Sequence, residues 1–144
     1  IPLRLVGSEM CIRDSCDGEQ TTQVTVTWKN DAPADAGTSL PPYVTADGFY
    51  GVPAGSTRTL VTVYGPEGAT PSHIDRDGEE VGVQTALLGS RSAVQQEVLL
   101  APGGSSKITV EFQGTGAGER LTVVDHTPMV NTPETTREQL RCAS

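Results

Sequence analysis

Hydrophobic and polar residues alternate strictly over residues 23–28, which places both valines and Trp28 on one face of an extended chain. A period of two is typical of a strand buried on one side, so we expect a strand here with Trp28 in the core. The strand is expected to end at the turn formers before Pro33, because proline cannot donate to a strand ladder. Residues 107–112 alternate in the same way and predict another strand.

Other segments also have the pattern of strands. Residues 58–64 are apolar on both faces, which is typical of the central strand of a sheet. Residues 81–87 and 93–100 predict two strands with a turn between them. A helix over 93–100 competes, but the Pro-Gly-Gly that follows would limit it to barely two turns. The Asp77-Gly78 pair lies between short extended pieces and predicts a hairpin, because both central positions of its turn need positive φ.

A glycine-rich stretch over residues 114–118 follows the strand at 107–112 and precedes a strand candidate at 120–124. The stretch is similar to a phosphate-binding loop, but the dinucleotide fingerprint has other spacing and leads into a helix. We therefore expect a hairpin turn between these two strands. From Thr127 the chain is polar and is expected to cross the surface as an irregular tail.

Residues 31–56 are rich in proline and glycine and predict an irregular excursion between two strands. Phe49 and Tyr50 are expected to pin this excursion to the core. Tyr43 follows two prolines and is expected to be exposed and available to a partner.

About seven short strands, with turn signals every 8 to 12 residues, predict an all-β fold, an antiparallel immunoglobulin-like β-sandwich. At 144 residues the chain has the length of one domain. Its formal charge of −8 at pH 7 repels phosphate backbones and anionic lipid, so nucleic acid is not an expected partner. No apolar run approaches the ~20 residues of a spanning helix, so we expect any membrane anchor to lie outside this chain.

Residues 1–15 are expected to lie outside the fold. Residues 5–15 read LVGSEMCIRDS, which resembles one reading frame of a transposase-type sequencing adapter, a contaminant at the ends of metagenomic reading frames. We accordingly treat residues 1–15 as an artefact, residues 16–142 as a single sandwich domain and residues 143–144 as a tail.

Three cysteines occur, and assigning Cys11 to the adapter leaves Cys16 and Cys142 at the two ends of the domain. This pair predicts a disulfide, which in the chain-entropy model stabilises the fold by about 4 to 5 kcal/mol. Such a bond persists only in an oxidising compartment. The alternative is two unrelated thiols near the chain ends.

Four carboxylates lie within residues 75–80, and those of Asp75, Asp77 and Glu79 could hold a hard cation such as calcium. The EF-hand loop is not matched, and alternation along a strand points successive side chains apart. A solvated hairpin tip is therefore favoured over a metal site.

Catalytic chemistry has few candidates in this sequence. His73 and His126 are the available general bases, and Asp125 would face the other side of a strand from its neighbour His126. No Gly-x-Ser-x-Gly motif occurs, and no close spacing of histidines and cysteines points to zinc. The sequence therefore predicts a protein that is not an enzyme, with no cofactor.

Five turn-rich motifs are spread along the chain, namely WKNDAP at 28–33, LPPYV at 40–44, VYGPEGA at 63–69, LAPG at 100–103 and TPMVN at 127–131. Their order resembles the C-terminal region of actinobacterial proteins that carry the domain of unknown function 4012. The resemblance implies an envelope protein with an N-terminal membrane anchor and a large extracytoplasmic part. The family has no assigned reaction, so the resemblance implies no catalytic residues.

Together these observations predict a non-catalytic, extracytoplasmic accessory or binding domain of a larger cell-envelope protein, anchored through a part that lies upstream. Its partners would be cell-wall glycan or another envelope protein. Two alternatives stay open. One is a carbohydrate-binding module in which an exposed aromatic residue and the acidic hairpin recognise cell-wall glycan. The other is an accessory domain of an envelope-polymer enzyme whose active site lies upstream.

Overall fold

The computed structural model describes residues 3–14, 19–82, 84–115, 126–128 and 131–140. Its strands are β1 Leu3–Asp14, β2 Glu19–Asn30, β3 Thr57–Glu67, β4 Thr70–Arg76, β5 Glu79–Glu80, β6 Gln84–Leu88, β7 Arg91–Leu100, β8 Ser105–Thr115 and β9 Glu134–Leu140. The connection between β2 and β3 carries the short helices α1 Ala36–Ser39 and α2 Pro42–Thr45 and a 3-10 turn at Ala46–Gly48. In this described part of the chain, no helix has the length and apolarity to cross a membrane.

The strands form two sheets that pack face to face. Among the described residues, the larger sheet has six strands in the order β5-β4-β8-β2-β1-β9, and the smaller has three in the order β3-β7-β6. Neighbouring strands are antiparallel except for β1 and β9, which run parallel. The predicted all-β sandwich is confirmed.

The core lies between the two sheets and is built from the inward-facing residues of β2, β3, β7 and β8, together with Ala69 between β3 and β4. Trp28 is buried there, as expected from the alternation over residues 23–28. Full burial of each large apolar side chain stabilises the fold by about 1.5 to 3 kcal/mol. The buried cluster consists of Trp28, Val61, Val63, Ala69, Val94, Val98, Leu100, Ile108, Val110 and Phe112.

Several predicted elements are present where the sequence places them. Residues 93–100 are extended, within β7, and pair with β6 across a turn. Residues 107–112 lie in β8. The hairpin at Asp77-Gly78 joins β4 to β5, and these two residues have φ of 57° and 93°. The positive φ values confirm the turn chemistry on which the hairpin prediction rests.

The prediction that residues 58–64 form a central strand is wrong for the described part of the chain, where β3 lies at the edge of the three-stranded sheet and β7 takes the centre. Val61 and Val63 face the core, whereas Leu60 and Tyr64 lie on the outer face and are 61% and 50% exposed. The pattern looks like that of a central strand because these two exposed residues are apolar.

Both termini of the described chain pair with the larger sheet. β1 pairs antiparallel with β2, so Leu3–Asp14 lie within a sheet instead of outside the fold, whereas the adapter origin of residues 5–15 stays a prediction. β9 pairs parallel with β1, which corrects the irregular tail expected after Thr127. The free edges of β2 and β1 satisfy the backbone groups of these segments. The composition of a segment does not reveal a partner strand that is distant in sequence, so composition alone does not predict these two strands.

The hairpin predicted after β8 requires a second strand over residues 120–124. Those residues lie outside the described part of the chain, so the hairpin stays a prediction. The two neighbours that the structure gives β8 are β2 and β4.

Candidate functional site

Asn30 fixes the excursion of residues 31–56 to the sandwich. This residue ends β2, and its side chain is fully buried. Its Nδ2 donates to the carbonyl oxygens of Gly55 at 3.0 Å and Leu100 at 3.2 Å, and its Oδ1 accepts from the Ala32 N–H at 3.1 Å. One amide group therefore ties both ends of the excursion to the end of β7.

The two ends of the excursion also pack closely against each other, and two glycines make this possible. A Cβ at Gly37 would lie 2.9 Å from the Ala54 carbonyl oxygen. A Cβ at Gly55 would lie 3.0 Å from the Ala36 Cβ, and Gly55 has a φ of +83° that other residues rarely adopt. The base of the excursion is thus a tight, closed contact from which its outer part projects.

Three aromatic rings project from the outer part of the excursion, residues 40–53, which we call the aromatic loop. Tyr43 is 88% exposed, as expected, and Phe49 and Tyr50 are 74% and 83% exposed. The prediction that Phe49 and Tyr50 pin the excursion to the core is therefore wrong. Small side chains occupy the buried positions instead, namely Ala32 and Ala36 at the base and Thr45 in the aromatic loop. The rings of Phe49 and Tyr50 meet edge to face, with centroids 5.6 Å apart.

The backbone of the aromatic loop is strained. Ala46, Asp47 and Tyr50 have φ of 53°, 47° and 65°, a region that costs residues other than glycine roughly 1 to 2 kcal/mol. The Thr45 Oγ1 accepts from the Asp47 N–H at 3.3 Å, and the Arg58 guanidinium donates to the Gly51 carbonyl oxygen at 3.1 Å. Strain held in place by surrounding contacts is typical of binding loops.

The acidic hairpin, residues 75–80, uses two of its carboxylates for its own structure. The Asp77 Oδ2 accepts from the Ser106 hydroxyl at 2.8 Å and its Oδ1 accepts from the Lys107 N–H at 2.7 Å. The Asp75 Oδ1 accepts from the Gly78 N–H at 3.1 Å. Within the described ranges, no three histidine, cysteine, aspartate or glutamate side chains converge as a metal site would require. Glu79 and Glu80 are exposed.

The aromatic loop and the acidic hairpin lie at the same end of the sandwich. The aromatic loop connects the end of β2 to the start of β3, and Thr57 of β3 lies opposite Leu100 at the end of β7. Lys29 of β2 lies opposite Ser105 at the start of β8, where the hairpin tip is attached through Asp77. Loops clustered at one end of a sandwich form a surface that the rigid sheets hold in place.

No family model matches the chain, and no curated protein matches it. An M1 zinc metallopeptidase from Deinococcus radiodurans shows 13% identity at a TM-score of 0.40, over 79% of this chain and 21% of the peptidase. A Legionella pneumophila protein named for nutrient binding shows 8% identity at a TM-score of 0.47, over 78% of this chain and 39% of that protein. The chain thus spans less than half the length of each, and these likenesses assign it no function.

The other candidate residues are spread apart or lie outside the described chain. Cys16, Cys142 and Asp125 are not among the described residues, so the disulfide stays a prediction. His126 is exposed, with its Nδ1 2.9 Å from the Thr127 carbonyl oxygen. His73 lies on β4 opposite Glu111, whose carboxylate accepts from the side-chain amide of Gln23 at 3.0 Å.

Sequence reasoning missed the exposure of Phe49 and Tyr50 and the role of Asn30. The sequence does contain a signal for the exposure of Phe49 and Tyr50, because Gly48 and Gly51 flank them in a segment without strand or helix periodicity. Asn30 was recognised only as a turn former. Its three side-chain hydrogen bonds join residues far apart in sequence, so no local pattern reveals them.

Proposed function

We propose that this chain is a non-catalytic, extracytoplasmic binding domain of a larger cell-envelope protein, and that the aromatic loop is its contact surface. The observation that carries the proposal is the exposure of three aromatic rings on a loop that is anchored at its base by a buried amide. Exposed aromatic side chains supply large contact area at a small entropic cost, which is why they dominate binding sites.

Cell-wall glycan is the ligand class that this surface fits best. The apolar C–H faces of pyranose rings stack on aromatic rings such as those of Tyr43 and Tyr50. Sugar hydroxyls can donate to the carboxylates of Glu79 and Glu80, which are exposed at the same end of the sandwich. The net charge of −8 favours a neutral glycan over an anionic polymer.

Two sequence features support the extracytoplasmic location. The Cys16 and Cys142 pair predicts a disulfide, and disulfides persist in oxidising compartments. The resemblance to actinobacterial proteins with the domain of unknown function 4012 implies a protein held in the envelope by an N-terminal anchor.

Retention of the purified chain on insoluble cell-wall glycan tests the proposal. We expect the wild-type chain to be retained and Tyr43→Ala to weaken retention about tenfold, the effect of losing an aromatic contact residue. Tyr64→Ala is the matched control, because Tyr64 is half exposed on β3 but lies several residues further from the loop end of that strand. Equal loss in both variants, or no retention of the wild-type chain, would contradict glycan recognition by the aromatic loop.

A further inference from the structure

Two aspartate-glycine pairs in the described chain share the same uncommon backbone conformation. Asp47-Gly48 lies in the aromatic loop, and Asp77-Gly78 forms the tip of the acidic hairpin. Both aspartates are exposed, with φ of 47° and 57°, and both glycines also have positive φ. The pair at residues 17–18 lies outside the described residues. The two described pairs are therefore matched in residue type, backbone and exposure.

The contacts of the two carboxylates differ. Both oxygens of the Asp77 carboxylate accept hydrogen bonds, from the Ser106 hydroxyl at 2.8 Å and from the Lys107 N–H at 2.7 Å. The N–H of Gly78 donates to a neighbouring carboxylate at 3.1 Å. Within the described ranges, the Asp47 carboxylate has no hydrogen bond and no ion pair. The Asp47 carboxyl group is thus free to turn towards its own main chain, whereas the Asp77 carboxyl group is held away from it.

We propose that Asp47 is a self-modification site, at which the chain isomerises to isoaspartate through a cyclic imide. The Gly48 amide nitrogen bonds to the Asp47 Cγ, and a carboxyl oxygen leaves as water with the amide proton and the carboxyl proton. One water molecule then opens the ring. Its oxygen bonds either to Cγ, which restores aspartate, or to the main-chain carbonyl carbon, after which the chain runs through Cβ and Cγ. The product has the same mass as the original chain.

Glycine after the aspartate favours this step, because no side chain shields the attacking nitrogen. At Asp77 the same step must first break two hydrogen bonds to the carboxylate, which raises the barrier. We therefore expect Asp47 to isomerise about tenfold faster than Asp77, or more. The product adds one carbon atom to the main chain beside Phe49 and so changes the surface of the aromatic loop.

Peptide mapping of the full chain after prolonged incubation at physiological temperature tests the assignment, because isoaspartyl and aspartyl peptides of equal mass separate by chromatography. In water enriched in heavy oxygen, each ring opening also adds one labelled oxygen. We expect isoaspartate and label to accumulate first in the Asp47 peptide. The same chain unfolded in denaturant is the control, in which both pairs should react at similar rates. A reaction at Asp77 that is as fast in the folded chain, or a difference that persists after unfolding, would overturn the proposal.

Two variants test the cause of the difference. Asp47→Glu keeps the charge but would have to close a larger ring, so isomerisation at this position should stop. Ser106→Ala removes one of the two hydrogen bonds to Asp77 and should speed isomerisation there about fivefold. Continued labelling at position 47 in Asp47→Glu, or an unchanged rate at Asp77 in Ser106→Ala, would contradict the mechanism.

Discussion

At the scale of single residues, the position of the aromatic loop depends on Asn30. Its buried side chain satisfies the carbonyl oxygens of Gly55 and Leu100, and its backbone exchanges hydrogen bonds with residues 103 and 104. An apolar residue here would remove the side-chain donor from two buried carbonyl oxygens. A buried amide is therefore needed at this position to hold the loop against the sandwich.

We expect Asn30→Ala to lower the free energy of unfolding by about 2 to 4 kcal/mol, because two buried carbonyl oxygens lose the hydrogen bond that Asn30 donates. Gln113→Ala on the exposed face of β8 is the control and should change stability little. Chemical denaturation measures both values. A loss for Asn30→Ala no larger than that of the control would show that the amide does not anchor the loop.

At the scale of the elements, β3 and β8 pack closely because β3 has a glycine, Gly65, where it meets the ring of Phe112. Gly65 lies on the inner face of β3 directly against the ring of Phe112, which is fully buried. The register of β3 with β7 is also irregular between residues 64 and 67. The ring of Phe112 occupies the space that a Cβ at position 65 would need.

Gly65→Ala is expected to destabilise the protein by about 1 to 3 kcal/mol through overpacking against Phe112. Gly82→Ala is the matched control, because a Cβ at Gly82 would meet nothing within 4 Å. That variant should shift stability by less than about 1 kcal/mol in either direction. Thermal unfolding of the two variants distinguishes them, and equal melting temperatures would contradict the packing described for Phe112.

The elements also show what the sequence could predict. Alternation identified β2 and β8 because each has one face in the core, and Asp77-Gly78 identified its hairpin because its turn requires positive φ. Whether a strand lies at the edge or in the centre of a sheet depends on its partner strands and not on its own residues. The apolar residues Leu60 and Tyr64 therefore give β3 the pattern of a central strand although it lies at an edge of the described sheet. The exposure of Phe49 and Tyr50 depends on alanines at the loop base that already fill the buried positions.

At the scale of the whole molecule, the proposed extracytoplasmic location is tested by titrating the free thiols of the full chain after it is unfolded without reductant. The chain has three cysteines, so a Cys16–Cys142 disulfide leaves a single reactive thiol, that of Cys11. Three reactive thiols in protein isolated from an oxidising compartment would remove the argument for an extracytoplasmic domain.

Backbone amide chemical shifts, recorded while soluble cell-wall glycan fragments are added to the labelled chain, test the central claim most directly. We predict saturable shifts in residues 40–53 of the aromatic loop and in the exposed glutamates of the acidic hairpin, with the rest of the sandwich unchanged. Shifts centred on the outer faces of the sheets, or no shifts at saturating glycan, would contradict a binding site at this end of the molecule.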